Sequence, residues 1–313
     1  MLLLGDVQTA ILRHSGGVSR QLTEDALSLL PGEQVRVSER PIGHAISPNK
    51  LVGVDCRIEG RKRRVRGVGT LTGRVRLTGG RVLQGSARAR IEPGTVSYRH
   101  AWAHYLARPG VVETIGRNDP RDLAEAHLAA GRQSSTMGLG AFAGRLLSDV
   151  QRSSVIDAHL PMKAGRTTLR WAALVDKDFE GYDVGFTLRG DGTRTVLLML
   201  GPQPVDDIVD LCEDLALHDW LLTALVTVID QSQIGVEEPA QAVKRLRPAV
   251  DHLLHLWMPA ARLGALGRSV WADLESHRGL SRQWEASVQR IRDQMAMAAA
   301  LSNGRVEEQQ LFP

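Results

Sequence analysis

Cysteine is nearly missing from this 313-residue chain: Cys56 and Cys212 are the two present. Two thiols cannot build the disulfide framework of a secreted domain, and no Cys-x-x-Cys pair offers a metal or redox site. Cys212 has Glu213 and Asp214 beside it, neighbours that raise a thiol pKa and argue against a nucleophile. Aromatic residues make up 4% of the chain. No run of about 18 apolar residues exists, so no membrane-spanning helix is expected. The opening Met1-Leu2-Leu3-Leu4-Gly5-Asp6 has no positive segment and soon meets an acid, unlike a signal peptide, which makes the cytoplasm the expected compartment. Walker-A, Gly-x-Ser-x-Gly and His-Glu-x-x-His strings are all lacking, so no cofactor is expected and an enzyme is disfavoured. Lysine is scarce as well, with five against a large excess of arginine. That bias suits bidentate ion pairing or phosphate binding, and GC-rich coding produces it equally.

What is present is a soluble composition, 43% apolar and 24% charged, with a net charge of +4 that conceals a split. Eleven basic residues face one acid between Arg57 and Arg90, while nine carboxylates and no Lys or Arg lie between Val205 and Glu238. Arg61, Lys62, Arg63, Arg64, Arg74, Arg76 and Arg81 are the candidate patch for an anion or a partner. The same residues could line a phosphate backbone, but the segment has no aromatic side chain on which bases could stack. A solvated or internally paired face is the simpler reading, with the acidic segment as counterpart.

The predicted architecture is α+β. Residues 1–118 read as a β-rich domain, 119–204 as a mixed helix and hairpin region, 205–303 as a helical bundle, and 304–313 as a loose tail. Arg74-Val75-Arg76-Leu77, then Gly79-Gly80, then Val82-Leu83 spell a hairpin, with the arginines on one face and Val75 and Leu77 on the core face. Asp119-Pro120 is a helix start. Ala141–Val150 is predicted as a helix, Thr167–Val175 and Val184–Met199 as strands turned at Gly190-Asp191-Gly192. From Val205 the apolar residues Ile208, Leu211, Leu215, Leu222, Leu225 and Ile229 follow a helical stripe. Pro248 starts or kinks the next helix, and Ser281 is placed as cap of the last.

Four strings carry a family resemblance: His104-Tyr105-Leu106-Ala107-Arg108-Pro109-Gly110; Cys212-Glu213-Asp214-Leu215-Ala216-Leu217-His218-Asp219-Trp220-Leu221-Leu222; the stretch Arg245-Leu246-Arg247-Pro248 through Trp257-Met258-Pro259; and Ser281-Arg282-Gln283-Trp284. With them the chain resembles an uncharacterised actinobacterial family encoded beside a variant P-loop protein and a methyltransferase-like protein. The resemblance spans most of the chain and is looser over 117–205. It implies a component of a multi-protein system with a P-loop partner, and carries no catalytic residue across.

Two Asp-x-x-x-His pairs, Asp214 with His218 and Asp251 with His255, could meet between helices. At 100° per residue Asp214 falls within about 40° of His218, both pointing into the apolar stripe. Two imidazoles and two carboxylates would suit zinc or iron; the plainer reading is a buried structural pair, joined by Arg245 or Arg247. His100 and His104, four apart, read as structural histidines beside a core tryptophan. Gly138-Leu139-Gly140-Ala141-Phe142-Ala143-Gly144 mimics a dinucleotide loop but follows a loop, not a strand. The functional expectation is a non-enzymatic cytoplasmic interaction or scaffold protein. The alternatives are a metal-dependent enzyme with its site between C-terminal helices, and a nucleic-acid-binding adaptor. The oligomeric state is not set by the sequence.

Overall fold

The structure, a computed structural model, describes residues 1–94, 98–131, 136–232 and 239–311. The chain is α+β: one mixed ten-stranded sheet with helices on both faces. In order, the N-terminal part contains β1 (Leu2–Ile11), α1 (Arg20–Leu27), β2 (Arg36–Ser38), β3 (His44–Ile46), β4 (Lys50–Glu59), β5 (Arg64–Thr78) and β6 (Val82–Pro93). The short α2 (Trp102–Leu106), β7 (Val111–Ile115), α3 (Pro120–Ala129), α4 (Leu139–Gln151), β8 (Thr167–Val175), β9 (Tyr182–Leu188) and β10 (Arg194–Leu200) follow. The C-terminal part is helical: α5 (Val205–Gln231), α6 (Pro239–His252), α7 (Ala265–Arg278) and α8 (Leu280–Leu311).

β5 is the long member around which one half of the sheet is arranged. On one side β4 pairs with Arg64–Gly73 and β3 with Arg76–Thr78. On the other side β6 pairs with Thr72–Thr78, and where β5 and β6 diverge β7 fills the gap, antiparallel to β5 and parallel to β6. Gly79, Gly80 and Arg81 connect β5 to β6, and the two glycines have φ of 58° and 61°, left-handed values that glycine adopts freely. β1 pairs with β6 on one flank and β8 on the other. β10 then lies parallel to β8, and β9 closes that end. The expected boundary at residue 118 therefore falls inside one continuous sheet.

The helical starts follow local chemistry. Asp119 caps α3, its carboxylate accepting from the Arg121 N–H, with Pro120 in the first turn. α3 and α4 cover one face, where Leu2, Leu4, Val75, Leu77, Leu83, Phe142, Leu146 and Leu147 form a core. α5 crosses the other face. Its first half packs with α7 on Leu3, Val7, Leu169, Trp171 and Val196. Its second half packs with α6 and α8 through Leu217, Leu221, Leu225, Leu246 and Trp284. The C-terminal helices thus pack on one another and on the sheet. Pro248 lies inside α6. Gly279 ends α7 in the left-handed region and α8 starts at Leu280, so Ser281 is inside the helix rather than its cap. α8 also continues through the stretch where the polar composition predicts a loose tail. Among the described residues no helix is long and apolar enough to cross a membrane.

Candidate functional site

The two oppositely charged segments meet inside the molecule. Asp206, Asp210 and Glu213 recur at helical spacing along α5, and Arg74, Arg76 and Arg88 share the facing side of β5 and β6. Arg74 clamps Glu213 with both Nε and Nη2, at 2.8 and 2.9 Å, and reaches Asp210 at 2.5 Å. Arg76 takes Asp210 at 2.6 Å and Glu213 at 3.1 Å; Arg88 meets Asp206 at 3.0 Å. Gln84 donates to the Glu213 carbonyl. Burial opposes ionisation of Glu213, but Arg74 and Arg76 outweigh it and hold the carboxyl at about 2. For Arg74, burial likewise works against the charge, and Glu213 with Asp210 overcomes it, so its pKa goes up.

Arg74 and Arg76 are thus the internally paired part of the candidate patch, 2% and 3% exposed and turned onto the carboxylates of α5. Alternation along β5 separates two covered faces, not a core from solvent. The rest of the patch splits. Arg61–Arg64 lie at the β4–β5 turn, exposed, where Arg61 meets Glu125 of α3 at 2.5 Å and Arg64 meets Glu59. The Lys62 backbone N–H donates to Asp122. Arg81, after the Gly-Gly turn, is close enough to Asp251, His252 and His255 to bear on their charges.

Asp214 and His218 are each 1% exposed. Asp214 Oδ2 accepts from Trp271 Nε1 at 2.9 Å and from the Ala260 backbone N–H at 3.0 Å, and Arg262 stands 3.5 Å from Oδ1. His218 Nδ1 bonds to the Asp214 carbonyl, and the ring lies edge-on between Trp257 and Trp271. Burial pushes the imidazole pKa down. The second pair does not join them. Asp251 pairs with Arg247 on the exposed side of α6, Arg245 donates to the Gln231 carbonyl, and the four groups do not converge where one ion could reach them. The arginine beside the buried pair is Arg262, not Arg245 or Arg247. Burial raises Cys212 well above an ordinary thiol, with Glu213 adding to it.

A depression of about 700 Å³ opens at the ends of β8 and β10 beside the start of α3. Its carboxylates are occupied locally: Asp119 caps α3 and Asp176 accepts from the Asp178 N–H.

A feature not foreseen lies at the far end of the sheet. α2 turns Ala101, Trp102, Ala103, Leu106 and Ala107 to solvent and buries Tyr105. Trp102, expected in the core, is 38% exposed, resting on Gly53 with Arg99 stacked over its ring. Tyr98 at 64%, Leu106 at 58% and Leu51 of β4 at 44% complete the exposed apolar set. The available signal was length: a helix of five residues that ends shortly before Pro109 is too short to bury an apolar circumference. On the side of α2 that meets the sheet, His104 bonds to Glu113 of β7, and Arg108 bonds to both Glu113 and Glu92. No protein-family model, curated protein or solved structure matches this chain.

Proposed function

We propose that this chain is a non-enzymatic interaction protein, a scaffold or regulator in a multi-protein system whose partner is the P-loop protein implied by the family resemblance. The observation that carries the reading is the apolar surface of α2, where Trp102 and Leu106 stand out among alanines with Tyr98 and Leu51 at the margin. Aromatic anchors of this kind dominate binding energy at protein interfaces, and Arg99, bridging Trp102 and Asp55, gives the patch a polar rim. The rival readings lose their main residues. A metal enzyme between the C-terminal helices needs Asp214 and His218 open, and both are sealed under tryptophan. A nucleic-acid adaptor needs Arg74 and Arg76, and both are engaged by α5.

The test is a binding titration of the full chain against the P-loop protein that the resemblance implies, with Trp102→Glu and Leu106→Glu combined in one variant. The expected result is loss of the complex with an unchanged melting temperature. Equal affinity in the variant, or no complex with the unaltered chain, overturns the proposal.

A further inference from the structure

We infer that His100, His104 and Glu113 form a binding site for one divalent transition-metal ion of the zinc type, with its remaining coordination position open to solvent. This inference is independent of the partner reading above. His100 precedes α2 and His104 lies one turn on, so their imidazoles come to the same side and stack, with centroids 4.2 Å apart. Glu113 rises from β7 and is 4% exposed. One ligand atom from each of the three lies within 4.8 Å of the other two, and His104 Nε2 is already 2.8 Å from Glu113 Oε1. Zinc bonds of about 2.1 Å to nitrogen and oxygen set the ligand atoms of a tetrahedral ion about 3.4 Å apart. Small rotations of the three side chains span the difference.

A second observation points to a ligand. His100 Nε2 is buried and has no hydrogen-bond partner among the described residues, a rare condition for a polar atom in a folded protein. An ion would take its lone pair. The ring is held in place beforehand: the His100 backbone N–H donates to the Tyr105 hydroxyl at 3.1 Å, and the Tyr105 ring lies edge-on to both imidazoles. Arg108 Nη1 donates to the same Glu113 Oε1 that His104 contacts and so fixes the carboxylate, as an outer-shell partner does for a ligand. Two imidazole nitrogens and one carboxylate oxygen select a zinc-like ion over calcium or magnesium, which prefer oxygen alone. The ion needs the lone pair of His104 Nε2, so a proton carried on that atom leaves to solvent as the ion enters.

The experiment is calorimetric titration of the full chain with Zn²⁺ after chelator treatment and dialysis, with bound metal counted by elemental analysis. The expected result is one ion per chain. His100→Ala should weaken binding by more than about 100-fold, since even an outer-shell partner is worth roughly 10–100-fold. Nε2 of that ring has no hydrogen bond to lose, so the metal-free variant should still fold and melt in a single cooperative transition. The Co²⁺ form of the unaltered chain gives a readout that needs no variant: low-symmetry nitrogen and oxygen ligation yields an intense visible band. Absence of saturable Zn²⁺ binding, equal affinity in His100→Ala, or the pale spectrum of an octahedral Co²⁺ ion overturns the site.

Discussion

On one face of the β5–β6 hairpin the sheet presents Gly73, Val75, Leu77, Leu83, Gly85 and Ala87; on the other, Arg74, Arg76, Gln84, Ser86 and Arg88. Both faces are buried, but the helices above them are held in different ways. α4 comes so close that a Cβ added at Gly85 would stand 2.2 Å from the Ala143 carbonyl oxygen. α5 is reached instead across the length of arginine side chains, whose charges end on Asp210 and Glu213. The apolar face tolerates no added volume and needs no partner chemistry. The ionic face depends on every charge being matched, because an unpaired charge in that position is costly.

The largest expected effect comes from unbalancing the ionic face. Glu213→Gln leaves Arg74 and Arg76 with Asp210 alone and should cost about 3–5 kcal/mol, measured by urea unfolding at neutral pH. The same carboxylate sets an acid response. Its folded pKa of about 2 lies below the ordinary 4.5, so its contribution is present above the unfolded value and is lost as pH falls from about 5 toward 2. The acid limb of the stability profile should flatten in Glu213→Gln; an identical limb in both proteins would remove the ionic face from the account. Gly85→Ala is the matching perturbation on the apolar face. It should cost about 1–3 kcal/mol by overpacking against α4, with no change in pH dependence. The smallest effect is expected at the exposed end of β5, where Arg64→Ala breaks the pair with Glu59 and should stay within about 1 kcal/mol. A larger loss there would mean that the turn arginines bear structural load.

Elements written in local chemistry were legible in the sequence. The Gly79-Gly80 turn, the Asp119 cap with Pro120, the strand at Thr167–Val175 and the stripe of α5 all rest on neighbours within a few residues. The burial of Asp214 and His218 was legible from the helical wheel. Their partners were not, because Trp271, Ala260 and Arg262 arrive from a different helix and its approach. Alternation along β5 separated the arginine face from the Val75 and Leu77 face, and the acidic segment was the named counterpart; which carboxylates pair with which arginines was not legible, because that depends on how α5 crosses the sheet. Trp102 was assigned to the core on residue type, although its helix has too few residues to enclose it.

β1 has a consequence in time rather than in energy. Leu2-Leu3-Leu4 is made well before its partners: β1 acquires its first neighbour only with Val82–Ile91 and its second only with Thr167–Leu174. At a synthesis rate of about 5–20 residues per second, the flank that meets β8 waits roughly 10–30 s with its backbone groups unpaired. For that interval the nascent chain displays an apolar strand edge able to pair with any other. Slowing translation between β6 and β8 lengthens the hazard, and faster passage shortens it, with no change in the finished molecule.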